Sequence, residues 1–204
     1  MHLLPTEDDV VGILRDTGAL RVGHFAHPSG MHANEYLQVP LAMRYYQHAR
    51  TLSVGLSRKL RANAELRAMI GQLSIVAPAT GGLPVAYGVC EALRAHQVYW
   101  AVKNDDELPL RFRQFLEQTP GENVVLVDDI LRSGRKLHQM KKLLESRGAT
   151  VVAVAVVVYQ PTPKAIDFGS IPLYYMAKLD AGYYIDAAHC DLCAQGIPLE
   201  KVWV

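Results

Sequence analysis

The run at positions 124–137, V-V-L-V-D-D-I-L-R-S-G-R-K-L, leaves this chain few folds to choose from. It opens with four apolar residues, three of them valines, which is short enough for a fully buried strand and too short for a core helix. Two acids, Asp128 and Asp129, end that strand. Beyond a loop containing Ser133 and Gly134, the residues Leu137, Met140, Leu143 and Leu144 recur at helical spacing, and Gly148 supplies the stop. A second apolar run follows at 151–158. Strand, loop, helix and strand in this order build an α/β fold with an open, mostly parallel sheet flanked by helices. In such sheets the ligand sits outside the carboxyl ends of the strands, where the acids and the loop fall.

The loop places backbone N–H groups at a helix N-terminus and surrounds them with Arg132, Arg135 and Lys136, an arrangement suited to phosphate. Asp128 and Asp129 cannot touch that same phosphate, because two like charges about 4 Å apart repel by roughly 4 kcal/mol even at an effective dielectric near 20. Vicinal hydroxyls donating to the carboxylates, with magnesium nearby, fit them best, so the implied ligand is a phosphorylated sugar. The plainer reading is a helix start with two capping acids and a solvated basic turn. It fits less well, since caps usually follow a polar loop residue rather than a buried strand.

The 204 residues, 50% hydrophobic and 20% charged, suit one globular domain with a sizeable core. A formal net charge of +1 gives no general field for nucleic acid or an anionic membrane, so neither is an expected partner and any anion specificity must be local. The N-terminus lacks a signal-peptide pattern, and the run at 151–158 is too short to span a bilayer, which predicts a cytoplasmic protein. Three cysteines, an odd number, argue against a disulfide framework and agree with a reducing compartment. The common nucleotide P-loop, dinucleotide, serine-hydrolase and zinc-protease motifs do not occur.

The sequence V-L-V-D-D followed by a short glycine-containing loop resembles the phosphoribosyl pyrophosphate (PRPP) signature of type I phosphoribosyltransferases. The resemblance implies that Asp128 and Asp129 hold the ribose hydroxyls, while Ile130, Leu131, Arg132, Ser133, Gly134, Arg135 and Lys136 form the loop for the 5'-phosphate. The loop departs from the family's usual Thr- and Gly-rich composition, and Arg135 stands where a small residue is common. Upstream, Gly18, Leu20, Gly23, Phe25, Ser29 and Gly30 match a G-x-L-x-x-G-x-F-x-x-x-S-G run similar to that of orotate phosphoribosyltransferases. There the following aromatic, here Tyr36, helps cover the base. Two family cations are missing from the implied base site: Pro28 replaces a Lys, and His138 replaces an Arg that reads the orotate carboxylate. Either His27, His32 and His138 supply the charge, or the base is not orotate.

Along the rest of the chain, Thr6 and the acids after it predict a first helix ending at Gly18. Residues 41–70 read as helical with an interruption near 51–55, and 73–77 as another buried strand running into P-A-T-G-G-L-P before a helix. By resemblance Ala79, Thr80, Gly81 and Gly82 form the pyrophosphate loop, and the glycines allow close backbone approach. Cys90 faces the core side of the following helix and reads as inert. A strand at 98–102 leads to Lys103, all that remains of the family's basic closing segment; Asp105, Asp106 and Glu107 after it would repel pyrophosphate unless they face solvent or meet magnesium. A last strand is predicted at 173–179. In the tail, Cys190 and Cys193 have C-x-x-C spacing and His189 adjoins them, but no second pair exists within the chain to complete a tetrahedral zinc site, so they read as structural thiols rather than zinc ligands.

These observations predict a single type I phosphoribosyltransferase-like domain over 1–204, with a small N-terminal hood at 19–39 joined by the C-terminal tail. The resemblance implies a magnesium-dependent, homodimeric enzyme that transfers phosphoribosyl between PRPP and a nucleobase, orotate first. Asp128, Asp129 and Lys103 are its catalytic candidates, and magnesium is held through PRPP oxygens. The alternatives are a PRPP-binding regulator or sensor without turnover, or a transferase for another base such as a purine.

Overall fold

The computed structural model describes residues 4–103, 110–112 and 120–202. The calls on Asp105, Asp106 and Glu107 lie outside them. Helix α1 (Glu7–Asp16) begins in a capping box: the Thr6 side chain accepts from the Asp9 amide, and the Asp9 carboxylate accepts from the Thr6 amide. A hairpin follows, β1 (Leu20–Ala26) and β2 (His32–Leu37), turned through Gly30 at φ +82°. Three helices, α2 (Pro40–Met43), α3 (Tyr46–Ala62) and α4 (Ala64–Ala68), then lead into alternating strands and helices. These are β3 (Leu73–Pro78), α5 (Gly82–Leu93), β4 (Gln97–Ala101), β5 (Asn123–Leu131), α6 (Arg135–Glu145), β6 (Thr150–Tyr159) and β7 (Leu173–Lys178). The tail adds β8 (Tyr183–Tyr184), a single helical turn α7 (Asp191–Ala194) and β9 (Glu200–Lys201).

Five strands form one all-parallel sheet in the order β4-β3-β5-β6-β7. Both faces are covered, which is why its strands read as nearly continuous apolar runs. Leu73, Ile75 and Ala77 face the side packed by α1, α3 and α5, together with Val125, Val127, Ala153 and Ala155. Val76, Val124, Leu126, Val154 and Val156 face the other side, against Leu137, Met140 and Leu144 of α6. The chain leaves β3 toward β4 on one side and returns to β5 on the other, so a crevice opens between the carboxyl ends of β3 and β5.

Two expectations are corrected here. Strand β5 does not stop at the acids: its ladder with β6 continues through Asp128↔Val156, Ile130↔Val158 and Leu131↔Tyr159, so both carboxylates ride on a rigid strand rather than on a loop. The break predicted near 51–55 is also absent, because α3 runs through it and ends at Asn63, whose side chain caps α4. Its small residues permit close packing instead. A Cβ at Gly55 would collide with Met176 of β7, and one at Gly88 of α5 would collide with Ser53.

The hairpin belongs to a second sheet, in the order β8-β2-β1-β9. β1 and β2 pair antiparallel from Leu20↔Leu37 to Ala26↔His32, β9 runs parallel to β1, and β8 closes the other edge on β2. Arg21 grips Glu200 through two hydrogen bonds of 2.8 and 2.5 Å, which fixes the tail in register on an exposed surface.

Candidate active site

Two loops meet at the crevice. One joins β3 to α5 through Ala79, Thr80, Gly81 and Gly82, and is pinned by the Ala79 amide donating to the Ala101 carbonyl at 2.8 Å. The other joins β5 to α6. The backbone of the first lies directly on the acids of the second: a Cβ at Gly81 would fall 2.8 Å from an Asp129 carboxylate oxygen, and one at Gly82 would fall 2.9 Å from an Asp128 oxygen. Only glycine leaves room there. The close approach is a feature the sequence did not reveal, since the two segments are 46 residues apart in a chain that gives no sign of their contact.

Asp128 is buried while Asp129 is partly open. Burial pushes the Asp128 carboxyl well above the usual carboxylate range, and the neighbouring Asp129 charge pushes it the same way, while the Asp129 amide and Lys136 oppose the shift. The Asp129 amide donates to Asp128 and the Ile130 amide to Asp129, each at 2.9 Å, so backbone donors orient both carboxylates. The site thus holds two acceptors, of which Asp128 stands where its charge is disfavoured. It is relieved by a ligand that donates hydrogen bonds or brings a cation.

Both helices that begin at the crevice lack a capping side chain. The N-cap of α5 is Gly81 and that of α6 is Gly134, the latter at φ +73°, where a side chain would be strained and would crowd Ile166. Helix α1, remote from the crevice, has a complete capping box. The two uncapped N-termini stand one on each side of the acids, where their free amides can meet an anion. Ser133 sits before α6 with its hydroxyl 3.4 Å from the Arg135 amide, and Arg135 and Lys136 are exposed in the first turn of α6. Lys136 lies near enough to Asp128 to favour its charged form.

Other candidates fall elsewhere. Arg132 turns away from the phosphate loop toward the hood, where its Nη2 donates to the Leu37 carbonyl at 2.9 Å and its Nε to Gln160 at 3.0 Å; Gln160 in turn donates to Glu35 at 3.1 Å. Its charge is felt by His27, Tyr36 and Tyr183. Tyr36 packs its ring 5.6 Å from Phe25 and accepts a hydrogen bond from Gln38. Pro28 is exposed at the hairpin tip, and His138 is half-buried in the first turns of α6, with no ring hydrogen bond or ring contact to the hood among the described residues. Lys103 stands just past β4, two residues beyond the Ala101 carbonyl that pins the glycine loop. Of the histidines offered as replacement cations, His32 points into a cluster with Cys193, away from this site. His27 is held below the ordinary histidine range, first by burial and then by Arg132 and His32, and its Nε2 is buried without a hydrogen-bond partner among the described residues.

An acid pair between two uncapped helix termini at a strand-order reversal suits a ligand that carries both hydroxyls and anionic groups. Comparison with known proteins agrees. The phosphoribosyl transferase domain family matches residues 44–167. The orotate phosphoribosyltransferase of Carboxydothermus hydrogenoformans is 32% identical over 193 residues, covering 95% of each chain, and that of Thermotoga maritima is 33% identical over 189 residues, covering 93% of this chain and 94% of its own. In structure, the chain resembles the orotate phosphoribosyltransferase of Aeropyrum pernix, with TM-score 0.64 and 19% identity over 83% of this chain and 93% of that one. It also resembles the Mycobacterium tuberculosis H37Rv enzyme solved with inorganic phosphate, with TM-score 0.62 and 19% identity over 85% and 95%. The protein belongs to the phosphoribosyltransferase family, and its main sheet has the type I fold of that family. Within it, the relatives just described that match nearly the whole length are orotate phosphoribosyltransferases.

Proposed function

We propose that the protein transfers the phosphoribosyl group of PRPP to orotate, releasing pyrophosphate and forming orotidine 5'-monophosphate. The observation that carries this reading is the acid pair flanked by two glycine-started helices, for it supplies hydroxyl acceptors and two separate anion sites in one crevice. Asp128 and Asp129 accept from the ribose hydroxyls, the start of α6 takes the 5'-phosphate, and Ala79 to Gly82 with the start of α5 takes the pyrophosphate. Bond breaking at ribose C1 builds positive charge on the sugar. The buried carboxylates are placed to stabilise that charge, and the α5 terminus to stabilise the departing anion. Magnesium suits this donor set: a divalent ion arriving with PRPP would relieve the repulsion between Asp128 and Asp129 and would neutralise charge on the leaving group.

The base is read under the hood. Arg132 replaces the missing family cations there: it is permanently charged, anchored to the Leu37 carbonyl, and close to Tyr36 and Tyr183. With His27 depressed below its usual range and therefore neutral near pH 7, orotate KM should be flat between about pH 6.5 and 8. Arg132→Gln should lower kcat/KM for orotate by about one to two powers of ten while PRPP affinity changes little, since a charge-assisted hydrogen bond is worth roughly 1.5–3 kcal/mol. An unchanged kcat/KM would remove Arg132 from base recognition.

Turnover measured with PRPP, magnesium and a panel of bases tests the whole reading. Orotate consumption is the expected result. Tight PRPP binding with no turnover of any base would favour the regulatory alternative, and turnover of a purine alone would replace orotate. We also read the enzyme as a homodimer, supported by Tyr45, Tyr46 and Tyr87, which stand 44%, 77% and 52% exposed at and near the packed pair α3 and α5. Sedimentation velocity should give twice the chain mass; a monomer at micromolar concentration would overturn that. A cytoplasmic setting agrees with three free cysteines, and no helix among the described residues is long and apolar enough to cross a membrane.

A further inference from the structure

Within the hood, the hairpin and the tail bring four metal-ligating side chains to one point. His24 comes from β1, His32 from the start of β2, and Cys190 and Cys193 from the single turn of α7 and the residue before it. His24, His32 and Cys190 are buried, and one ligand atom from each of the four lies within 4.8 Å of every other. The expectation that the chain lacks a second pair is corrected here: the C-x-x-C thiols meet two histidines across separations of 166 and 161 residues.

The spacing is that of a tetrahedron around a small cation. Bonds of about 2.3 Å to sulfur and about 2.0–2.1 Å to nitrogen give tetrahedral S···N edges of about 3.5 Å. The observed separations are 3.5 Å from Cys190 Sγ to His24 Nε2, 3.6 Å from Cys193 Sγ to the same nitrogen, and 3.4 Å from Cys193 Sγ to His32 Nδ1. The two ring nitrogens stand 2.9 Å apart, a little closer than the ideal edge.

Protons alone do not explain this convergence. His24 Nδ1 lies 2.8 Å from the Ile197 carbonyl, which can only accept, so Nδ1 carries the hydrogen and Nε2 presents its lone pair to the cluster. Three groups crowd that one lone pair: His32 Nδ1, Cys190 Sγ and Cys193 Sγ. It can accept from one of them. A cation at the centre accepts from all four ligands at once, and the Nδ1 contact to Ile197 is then the outer hydrogen bond that orients a metal-bound imidazole.

We propose that His24, His32, Cys190 and Cys193 bind one zinc ion in a closed structural site. Two thiolates and two imidazoles select zinc among common divalent ions, and four protein ligands leave no open position for catalysis. The ion clasps the tail to the hairpin that forms the hood. The site is independent of transferase activity, and metal content and spectra report on it without turnover.

Elemental analysis of the protein isolated without chelator should find one zinc per chain. After chelation, titration with Co2+ should give the visible bands of tetrahedral cobalt and a thiolate-to-cobalt charge-transfer band, both saturating at one equivalent. Cys193→Ser should lose the charge-transfer intensity and most of the zinc, whereas Cys90→Ser, which changes the thiol outside the cluster, should keep both. Should Cys193→Ser fail to fold, the cobalt spectrum of the unmutated chain decides the matter. Absence of metal and of a cobalt spectrum in protein with native circular dichroism would overturn the site. A count of one free thiol instead of three, taken after denaturation with chelator and without reductant, would also overturn it, by showing Cys190 and Cys193 joined as a disulfide.

Discussion

Asp128→Asn is expected to give a protein that binds PRPP at least about tenfold to a hundredfold more weakly, from the loss of a charged hydrogen-bond acceptor, and yet melts at a higher temperature. The second half follows from the environment of the carboxyl. Burial and the Asp129 charge raise its proton affinity in the folded state, so the folded chain binds that proton more tightly than the unfolded chain does. Stability from such a group is fully present below the unfolded carboxyl value of about 3.9 and declines as pH rises through the folded value. The unmutated chain should lose melting temperature across that window, and Asp128→Asn should remove this loss. Each kcal/mol regained corresponds to about 2–4 °C for a chain of this size. Calorimetry with PRPP and melts at a series of pH values check both halves. Full PRPP affinity would remove Asp128 from the ribose site, and a lower melting temperature near neutral pH would show that its charge is already compensated in the free protein.

Gly81→Ala should be nearly as damaging to activity, although it adds one methyl group and removes no functional one. The new carbon would lie 2.8 Å from one Asp129 oxygen, 2.9 Å from the carboxyl carbon and 3.0 Å from the other oxygen, so either the acid or the loop must move. Displacements of about 1 Å in a reacting geometry cost on the order of a hundredfold, and kcat/KM should fall by at least that much. Gly71→Ala, where an added carbon meets nothing within 4 Å, is the matched control and should leave kcat/KM unchanged. If Gly81→Ala retained activity within about threefold of the unmutated chain, the loop would be free to shift and the contact with Asp129 would have no catalytic meaning.

What the sequence disclosed was local. The stretch around Asp128 and Asp129 announced a strand, a turn and a helix because hydrophobic period, acids and glycines all lie within a few residues of one another. Gly55 misled for the same reason: read locally it weakens a helix, but in the fold it makes room for Met176. Arg132 belonged by position to the phosphate loop, yet its partners are the Leu37 carbonyl and Gln160, so its direction was decided by a hood 95 residues upstream. The histidine and cysteine cluster was hidden by distance alone. A C-x-x-C with one adjoining histidine gives no sign that a hairpin near the other end carries the missing pair.

The edges of the hood sheet have a consequence for how the molecule comes into being. The five parallel strands are complete once Lys178 has been made, whereas the hairpin of residues 20–37 gains its two bordering strands only from residues 183–184 and 200–201. During synthesis the hairpin must therefore wait, with its flanks unpaired, until residues 183–201 have been made. Closing that span is a long loop closure, and contacts of such separation form late and slowly. The crevice between β3 and β5 can thus be assembled on a growing chain before the hood sheet is complete, and the tail finishes a sheet that the hairpin began.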